Sequence, residues 1–413
     1  MYRLCVMHPM DPRGNKLGGI ETHVRLILAH HPSDFSVLFV GIDEIGDLPI
    51  GKIAQVTIGD RKIDFLPVAH IDAESINLPS RKLTRSTTFR FAVGALRHLR
   101  TLRAATRGPR ASADLQRFEF ALLPKLIGIP TVQMIHGEGS KDQKMDSLIK
   151  KYWFLHRVNE WLAVHLAHRI FAVNSNIVER LARIMPRGAR KAEVMTVSVD
   201  TRLFYPRPFD CSDATFRIFF AGRLDEFKDP PLMFSVLAAL GERLAGKLEF
   251  HYAGTTDPNR YDEFRALAGF TTCHGFLTAE AVSALAAKCH AGILTSYFEG
   301  FPCYLLETLA VGRPFGAIRL PQYDPLIVDG ISGKMVERLD DVAVSRAQLV
   351  DAFVALWQAI CDGRIDPQTV NDRIIPYSVD EQMARLFERH RSLHEPAAPA
   401  GRSPNVTYAT RSS

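Results

Sequence analysis

The segment Thr295–Ile318 contains the pair of carboxylates best suited to hold a polar ligand. It reads TSYFEGFPCYLLETLAVGRPFGAI, and Glu299 and Glu307 lie eight positions apart on either side of Pro302. Ionised carboxylates only accept hydrogen bonds and therefore suit the hydroxyl groups of a ligand. The alternative interpretation is that Glu299 merely favours a helix dipole and that Glu307 is a solvated helix residue.

The same segment predicts a helix that starts after the apolar strand AGIL. Pro302 suits the first helical position, because its fixed φ and missing N–H cost nothing there. The N–H groups of Cys303, Tyr304 and Leu305 are then expected to point out of the helix start. Such a helix start is a ready site for an anion.

Two cations follow another apolar strand, in the run AGRLDEFKDP. Arg223 and Lys228 lie five positions apart on a predicted loop before the next helix. Two cations at a strand end can clamp a diphosphate and neutralise a leaving group. A solvated basic loop is the alternative.

A glycine pair, Gly18-Gly19, follows the first predicted strand, and His136 ends a later one. Glycines let backbone amides approach a ligand closely, although a Gly-Gly pair is usually just a turn. A single histidine after a strand is more often a structural hydrogen bonder than a ligand contact. By themselves, both motifs are therefore weak candidates.

Together, these motifs resemble glycosyltransferase family 4, a family with the GT-B fold and an E-x7-E signature. The resemblance is carried by Glu299-Gly300-x-Pro302, by Glu307, and by the A-x-G-x-P run that ends at Pro314. The Gly-Arg-Leu run with its following lysine, the Gly-Gly pair and the histidine–glycine pair also match. The matching motifs run from residue 18 to residue 336.

The resemblance implies a retaining transfer of a sugar from a nucleotide-diphosphate donor, without a bound metal ion or other cofactor. It implies catalytic roles for Glu299, His136, Arg223 and Lys228. It implies donor binding by Gly18, Gly19, Gly300, Phe301, Pro302, Cys303, Tyr304 and Glu307. In this scheme Glu299 and His136 face the donor sugar, and Glu307 holds the ribose hydroxyls.

The chain departs from the family pattern at three places. Thr308 and Phe315 replace the usual alanine and valine, and neither change removes a charged or phosphate-facing group. Val197-Ser198 replaces an Asn-Gly near the predicted hinge, which removes the asparagine of a hinge-side substrate contact.

Alternating apolar and amphipathic stretches predict the elements that position these motifs. In the first half, the predicted strands are Tyr2–Met7, Phe35–Val40, Lys62–Val68, Pro130–Ile135 and Arg169–Val173, and the predicted helices are Glu21–His30 and Ser140–Ala167. In the second half, the predicted strands are Arg217–Ala221, Leu248–Ala253 and Ala291–Leu294, and the predicted helices are Pro231–Ala245, Tyr261–Leu267 and Tyr304–Val311. Ligands bind outside the carboxyl ends of such parallel strands.

The chain has 413 residues, which suits two domains. The predicted fold is α/β: two doubly wound Rossmann-like domains that face a central cleft, as in GT-B proteins. The predicted divisions are an acceptor-side domain over 1–205, a donor domain over 215–375, a closing helix over 376–394 and a disordered tail over 395–413. The stretch Tyr205–Thr215 is the predicted hinge.

Composition excludes several protein classes. Apolar residues make up 46% and charged residues 23% of the chain, as in ordinary globular proteins. The six cysteines are scattered without a C-x-x-C pair, which argues against a structural zinc site and a disulfide scaffold. No signal-peptide centre or long apolar run is present, so we expect a cytoplasmic protein without a membrane span.

Residues 81–110 are strongly basic and attract phosphate-rich surfaces. They contain no acidic residue and nine basic ones: Arg81, Lys82, Arg85, Arg90, Arg97, Arg100, Arg103, Arg107 and Arg110. The apolar residues among them that recur at near-helical spacing are Phe89, Val93, Leu96, Leu99 and Leu102. The hypothesis is a surface helix that rests on the inner face of the plasma membrane, where lipid-linked glycan acceptors lie. The alternative is a helix packed on the protein's own core.

Other functions remain open at this stage. The acceptor expected from the resemblance is a bacterial envelope or exopolysaccharide glycan intermediate. A sugar-nucleotide epimerase or a phosphorylase would use a similar fold. A nucleic-acid-binding Rossmann protein is disfavoured, because the basic stretch lacks interleaved aromatic residues and any RNA-binding signature, so no nucleic-acid partner is expected.

Overall fold

A computed structural model describes residues 1–14, 16, 18–76, 83–137 and 153–395 of the chain. In these ranges the chain builds two α/β domains, each around its own sheet of mainly parallel strands. The predicted fold class is thereby confirmed. Three predictions lie wholly or partly outside the described residues: the tail after Glu395, the part of the Ser140–Ala167 helix before residue 153, and any role of Arg81 and Lys82.

The sheet of the first domain has eight strands within the described residues, in the order β3-β4-β2-β1-β5-β6-β7-β8. Their bounds are β1 Tyr2–Met7, β2 Phe35–Asp43, β3 Ala54–Ile58, β4 Arg61–His70, β5 Ala111–Leu115, β6 Thr131–Ile135, β7 Arg169–Ala172 and β8 Ala192–Val194. Neighbouring strands are parallel, apart from the antiparallel β3–β4 pair. The central strands are almost wholly apolar because helices cover both faces.

The described helices of the first domain lie on both faces of this sheet. They are α1 Gly19–Ala29, α2 Ala73–Ile76, α3 Thr87–Arg97, α4 Leu99–Ala105, α5 Leu122–Ile127, α6 Trp153–Leu166, α7 Ser175–Ile184 and α8 Pro186–Ala189, with short 3-10 helices at Leu83–Arg85 and Phe118–Phe120. α1 buries Val24, Ile27 and Leu28 at the helical spacing that forms one apolar stripe.

The sheet of the second domain is wholly parallel in the described residues, with six strands in the order β11-β10-β9-β12-β13-β14. The strand bounds are β9 Phe216–Ala221, β10 Leu248–Ala253, β11 Thr271–Gly275, β12 Ala291–Leu294, β13 Phe315–Ile318 and β14 Gly333–Val336. The helices are α9 Pro230–Arg243, α10 Ala279–Lys288, α11 Cys303–Ala310, α12 Val342–Cys361, α13 Pro367–Asp372 and α14 Val379–Ser392. The 3-10 helices are Glu226–Lys228, Pro258–Arg260, Asp262–Phe270, Pro321–Tyr323 and Ile375–Tyr377. Among the helices of the described ranges, none is long and apolar enough to span a membrane.

Every strand predicted from the sequence is present, and β1, β10 and β12 have the predicted bounds. The strands that periodicity missed are short, and several contain small or polar residues, as in ASADL of β5 and TTCHG of β11. The predicted helix at Tyr261–Leu267 is a 3-10 helix over Asp262–Phe270 instead.

The single surface helix expected in the basic stretch is two helices in the structure. The helix is interrupted at His98, so α3 and α4 turn different faces to the core. Phe91 and Ala95 are buried, together with Leu102, whereas Phe89 and Leu96 are exposed. A single helical periodicity across the stretch could not predict which residues are buried, because the break at His98 changes which face of the second helix is turned to the core.

The last helix, α14, follows the second domain in sequence but packs on the first. Arg391 binds both carboxylate oxygens of Asp34, at 2.9 and 3.0 Å. Arg389 binds Glu193 at 2.6 Å, and the Phe387 ring packs edge-on against a core ring of the first domain. The chain thus passes between the domains twice, over 195–215 and again just before α14. The domain limits and the hinge at 205–215 stay predictions.

Candidate functional site

Glu299 and Lys228 form a largely buried ion pair at the carboxyl edge of the second sheet. Oε1 of Glu299 accepts hydrogen bonds from Lys228 Nζ at 2.6 Å and from the Ser296 hydroxyl at 2.9 Å. The side chains of Glu299 and Lys228 are only 9% and 15% exposed. The loops after β9 and β12 meet because these strands are neighbours in the sheet. The Thr295 hydroxyl donates to the Lys228 carbonyl oxygen at 2.8 Å and fixes this meeting point.

Arg223 lies on the same loop as Lys228 but outside the ion pair. Its guanidinium is 3.2 Å from a carboxylate oxygen of Asp225, and its side chain is 59% exposed. The structure therefore joins Lys228 to Glu299 directly and leaves Arg223 on the exposed part of the loop.

The start of α11 lies beside this ion pair, one residue later than predicted. Pro302 is the N-cap, with an extended ψ of 123°, and the helix begins at Cys303. The Leu305 N–H donates to the Pro302 carbonyl oxygen at 3.1 Å, so the prediction that it points out of the helix was wrong. The extended Pro302 closes a tight first turn that uses this donor. The amides of Cys303 and Tyr304 remain the candidate anion donors.

The side chain of Tyr304 points into the core of the second domain. Its hydroxyl donates to the Phe219 carbonyl oxygen and accepts from the Ile293 N–H at 3.2 Å. Burial raises the pKa of this hydroxyl well above its usual range. The ring therefore fixes α11 on the sheet, and a ligand contact by Tyr304 would come from its backbone N–H.

The glycine pair before α1 touches the start of α11 from the other domain. Cys303 Sγ lies 3.7 Å from the carbonyl oxygen of Gly19, within reach of a weak hydrogen bond. Gly18 has a φ of 152°, and a Cβ there would lie 2.2 Å from Oε2 of Glu21. Both facts require glycine at this position.

Behind the glycine pair, Glu21 belongs to a buried charged group. Its Oε1 is 3.1 Å from His8 Nε2 and 3.4 Å from Lys16 Nζ. Burial alone would raise the pKa of Glu21, but the hydrogen bond with His8 and the charges of Lys16 and Arg117 hold it well below its usual range. Burial also lowers the pKa of Lys16 to about 8. The glycine loop thus rests on an ionised carboxylate.

His136 follows β6 and is largely enclosed. Its Nε2 lies 2.7 Å from Gln116 Oε1, and its ring meets the His23 ring edge-on at 5.9 Å. Burial, reinforced by His23 and His8, lowers the pKa of His136 well below its usual range. The ring is therefore neutral at physiological pH.

Gly300 joins the two halves of the site. A Cβ at this position would lie 2.0 Å from the carbonyl oxygen of His136, so the two backbones are in direct contact. The side-chain amide of Asn174 donates to the Gly300 carbonyl oxygen at 2.9 Å. The next residue, Phe301, stacks on Tyr377 at 5.7 Å. The loops at the carboxyl ends of both sheets therefore meet here, as parallel sheets predict.

Glu307 lies in the second turn of α11 and is partly buried. Burial raises the pKa of its carboxyl to about 7. No residue in the described parts of the chain donates a hydrogen bond to this carboxylate. It is thus an acceptor held beside the helix start, with no hydrogen-bond donor among the residues that the structure describes.

In the described ranges, no cluster of three or more His, Cys, Asp or Glu side chains has a metal-binding arrangement.

The comparisons with known proteins agree with this architecture. Residues 215–357 match the family model described as glycosyl transferases group 1. A search of curated proteins finds no significant match. Sucrose-phosphate synthase from Thermosynechococcus elongatus superposes with a TM-score of 0.73 at 13% identity, over 95% of this chain and 99% of that one.

Two further structures cover nearly the whole length of both chains. HepE from Anabaena, in complex with UDP and glucose, has a TM-score of 0.60 at 16% identity, over 94% of this chain and 100% of its own. The lipopolysaccharide outer core galactosyltransferase WaaB has a TM-score of 0.59 at 16% identity, over 95% and 100%. The chain has the GT-B fold. Its second domain carries the group 1 glycosyltransferase match.

The GT-B cleft also contains residues that the sequence analysis did not assign to the site. Ser296 lies inside the main motif and could have been found there. Asn174 caps α7, since its side chain accepts from the Ile177 N–H at 3.0 Å. No sequence motif around Arg338 indicates a role in the site, because only the fold brings this residue near the ion pair.

Arg338 supports the loop that carries Lys228. Its Nη1 donates to Asp229 at 2.7 Å, and its guanidinium lies 3.9 Å from the centre of the Tyr297 ring. Asp229 has a φ of 53° and caps α9 directly after Lys228. The arginine thus holds a left-handed residue next to the ion pair.

Gly300→Ala is expected to hold the two GT-B domains apart. The new Cβ would meet the His136 carbonyl oxygen at 2.0 Å, which backbone groups can relieve only by separating. Small-angle scattering should show a larger radius of gyration with little change in Tm, because both cores stay intact. Gly269→Ala is the control, since nothing lies within 4 Å of its Cβ position. Equal radii for the two variants would contradict the contact.

Glu307→Gln is expected to remove a pH-dependent loss of stability. The folded pKa of about 7 exceeds the ordinary value of 4.5, so the folded state binds more protons between these values. Stability attributable to this carboxyl therefore falls as pH rises through that window. Tm measured from about pH 4 to about pH 8 should fall less for the variant than for the wild type. Exposed Glu242→Gln is the control, and matching profiles for all three proteins would contradict the burial effect.

Proposed function

We propose that the chain is a retaining glycosyltransferase that moves a sugar from a nucleotide-diphosphate donor to an acceptor hydroxyl, without a bound metal ion or other cofactor. The observation that carries the proposal is the Lys228–Glu299 pair beside the start of α11. It lies where the second domain meets Gly19 and His136 of the first. The group 1 family match supports it.

The cations and the helix start have the chemistry to receive the diphosphate. Lys228 is already at the strand end, and Arg223 follows the same strand on an exposed side chain that can turn inwards. The amides at Cys303 and Tyr304 add the positive end of a helix dipole. These groups would neutralise the charge of the departing nucleotide.

The carboxylates have the chemistry to hold the hydroxyl groups. When a phosphate takes over Lys228, Glu299 can accept from the donor sugar and stabilise positive charge at C1. Glu307, which accepts nothing from the described residues, suits the ribose hydroxyls. This division of roles follows the E-x7-E motif of glycosyltransferase family 4, to which we propose that the chain belongs.

Retention follows from attack on one face of the sugar. The acceptor oxygen forms its bond to C1 on the side from which the diphosphate departs. The C1–phosphate oxygen bond breaks, and the released phosphate oxygen takes the acceptor proton. The scheme needs no covalent protein nucleophile and no protonated histidine, which suits the neutral His136.

The structural neighbours suggest which substrates to test first. HepE was solved with UDP and glucose, so UDP-sugars are the first donors. WaaB is a lipopolysaccharide outer core galactosyltransferase, which agrees with an envelope or exopolysaccharide glycan as acceptor. Removal of Arg223 should then weaken UDP binding less than removal of Lys228, because it is more exposed.

Lys228→Ala and Glu299→Gln are each expected to lower kcat by about 10²–10³-fold, as when a single group that stabilises transition-state charge is removed. The measurement is UDP release and glycan product formation with a panel of UDP-sugars, with EDTA present throughout. Exposed Lys247→Ala is the control and should keep full activity. Loss of wild-type activity in EDTA would exclude metal independence. An epimerised sugar nucleotide formed without an acceptor would favour the epimerase alternative.

The outer face of α3 and α4 supports contact with an anionic membrane. Phe89 and Leu96 are 39% and 50% exposed, at a spacing of two helical turns. Arg97, Arg100 and Arg103 are exposed around them. An apolar centre with basic surroundings suits the boundary of an anionic bilayer.

The neighbouring helices extend this face. α4 contacts α5, and α5 contacts α6. Leu122 and Leu126 of α5 and Trp161 of α6 are each about half exposed, at 51%, 47% and 52%. Aromatic rings such as that of Trp161 prefer the interface between lipid and water. We therefore propose a peripheral location on the inner face of the plasma membrane, beside a lipid-linked acceptor.

The triple variant Arg97→Glu/Arg100→Glu/Arg103→Glu is expected to lose binding to vesicles that contain phosphatidylglycerol. Each basic residue near such a surface contributes about 1 kcal/mol, so three reversals should abolish flotation. The measurement is flotation with anionic and with neutral vesicles. The control reverses three exposed cations of the second domain, Arg260, Arg265 and Lys288. Equal flotation of the wild type and the first triple variant would contradict the proposed membrane contact.

A further inference from the structure

A buried chain of hydrogen bonds runs from the last helix to His136. Ser112 Oγ and His390 Nδ1 are 2.9 Å apart, and His390 Nε2 lies 3.4 Å from Asp114 Oδ2. Asp114 Oδ1 accepts from Gln116 Nε2, and Gln116 Oε1 lies 2.7 Å from His136 Nε2. The other four members of this chain of hydrogen bonds, Ser112, His390, Asp114 and Gln116, are at most 3% exposed.

The chemistry of each atom fixes the direction of these bonds. A carboxylate only accepts, so the amide nitrogen of Gln116 faces Asp114 and its carbonyl oxygen faces His136. An amide oxygen also only accepts, so Nε2 of His136 carries the proton. The flipped amide would set its carbonyl oxygen against the carboxylate charge, which is repulsive in a buried site.

We propose that Asp114 and Gln116 are positioning residues that hold His136 in its Nε2-protonated neutral form. Nδ1 then keeps its lone pair and is the ring atom that can accept a hydrogen bond from a hydroxyl. The tautomer is set by contacts within the chain itself. Its effect on catalysis rests on the proposed glycosyltransferase function.

His390 extends this arrangement to α14. Its Nε2–H donates to Asp114, and its Nδ1 accepts from the Ser112 hydroxyl. A buried carboxylate without such partners would be strongly destabilising. The helix that returns from the second domain therefore supplies a partner to the carboxylate that orients Gln116.

The titratable and charged groups around His136 keep its ring neutral. Burial is the largest cause of the lowered pKa of His136. His23 of α1, His8 next to β1 and Arg117 next to β5 lower this pKa further. Glu21 of α1 acts in the opposite direction but is outweighed. The ring stays neutral, so the tautomer is the property left for its hydrogen-bond partner to control.

The test is two-bond 15N–1H correlation NMR on the full-length chain labelled with 15N-histidine. The sequence has 15 histidines, so the His136 signal is assigned by its loss in His136→Gln. The wild type is expected to show the Nε2-protonated pattern alone. Asp114→Asn removes the charge that orients the amide without changing its shape, and Gln116→Leu removes the acceptor. Both variants should show a mixture of the two tautomers.

Gln133→Leu is the matched control. Gln133 is a buried glutamine on the strand that ends at His136, and its amide donates to the carbonyl oxygens of Leu115 and Met134. Its loss should leave the His136 tautomer unchanged despite a similar loss of buried hydrogen bonds. A wild-type proton on Nδ1, or wild-type spectra from both folded test variants, would overturn the proposal.

This readout needs no substrate, so it separates the inference from the proposed function. If no donor sugar is transferred but the spectra change as expected, the function fails and the positioning role stands. If transfer occurs, kcat of Asp114→Asn and Gln116→Leu should fall by roughly two- to tenfold, as the competent tautomer is diluted. Their Tm values, compared with Gln133→Leu, separate this effect from a general loss of stability.

Discussion

The ion pair between Lys228 and Glu299 is the interaction on which the cleft depends. Removing two charges from water is unfavourable unless their geometry and further hydrogen bonds compensate. Here the Ser296 hydroxyl adds a hydrogen bond to Glu299, and the Thr295 hydroxyl ties the loop after β12 to the backbone of Lys228. The pair keeps a cation and a carboxylate together at one strand edge. In the function proposed above, a phosphate would take the place of the carboxylate as the partner of Lys228, and Glu299 would accept a hydroxyl.

A second constraint is the close approach of the two domains at Gly300. The backbone of Gly300 touches that of His136, and Asn174 bonds to the same residue from the first domain. Only a residue without a side chain allows this approach. Nearby, the Cys303 sulfur lies 3.7 Å from the Gly19 carbonyl oxygen. The glycine at position 300 thus lets loops from two separate sheets meet at one site.

The first domain combines a buried polar network with exposed apolar side chains on its surface. His8, Glu21, His23 and His136 are grouped below the cleft. Burial lowers the pKa of the three histidines, whereas the hydrogen bond with His8 and the nearby cations hold the pKa of Glu21 below its usual range despite burial. On the outside, α3, α5 and α6 expose apolar side chains, among them Phe89, Leu122 and Trp161. Since α14 packs on this domain, the second domain also contributes to its polar network.

The sequence by itself determined the fold class and most central strands, because buried parallel strands are continuous apolar runs that a local pattern shows. It also determined which loops follow them, and hence that Lys228, Glu299, Gly19 and His136 lie at strand ends. It could not determine that Lys228 and Glu299 are bonded, because strand order sets that contact, or that Gly300 meets His136, because the packing of the two domains sets that one. Nor could it show that Asp114 and His390, 276 positions apart, are hydrogen-bonded. Only the tertiary structure decided such contacts, since they depend on how separate sheets and the returning helix pack rather than on neighbouring residues.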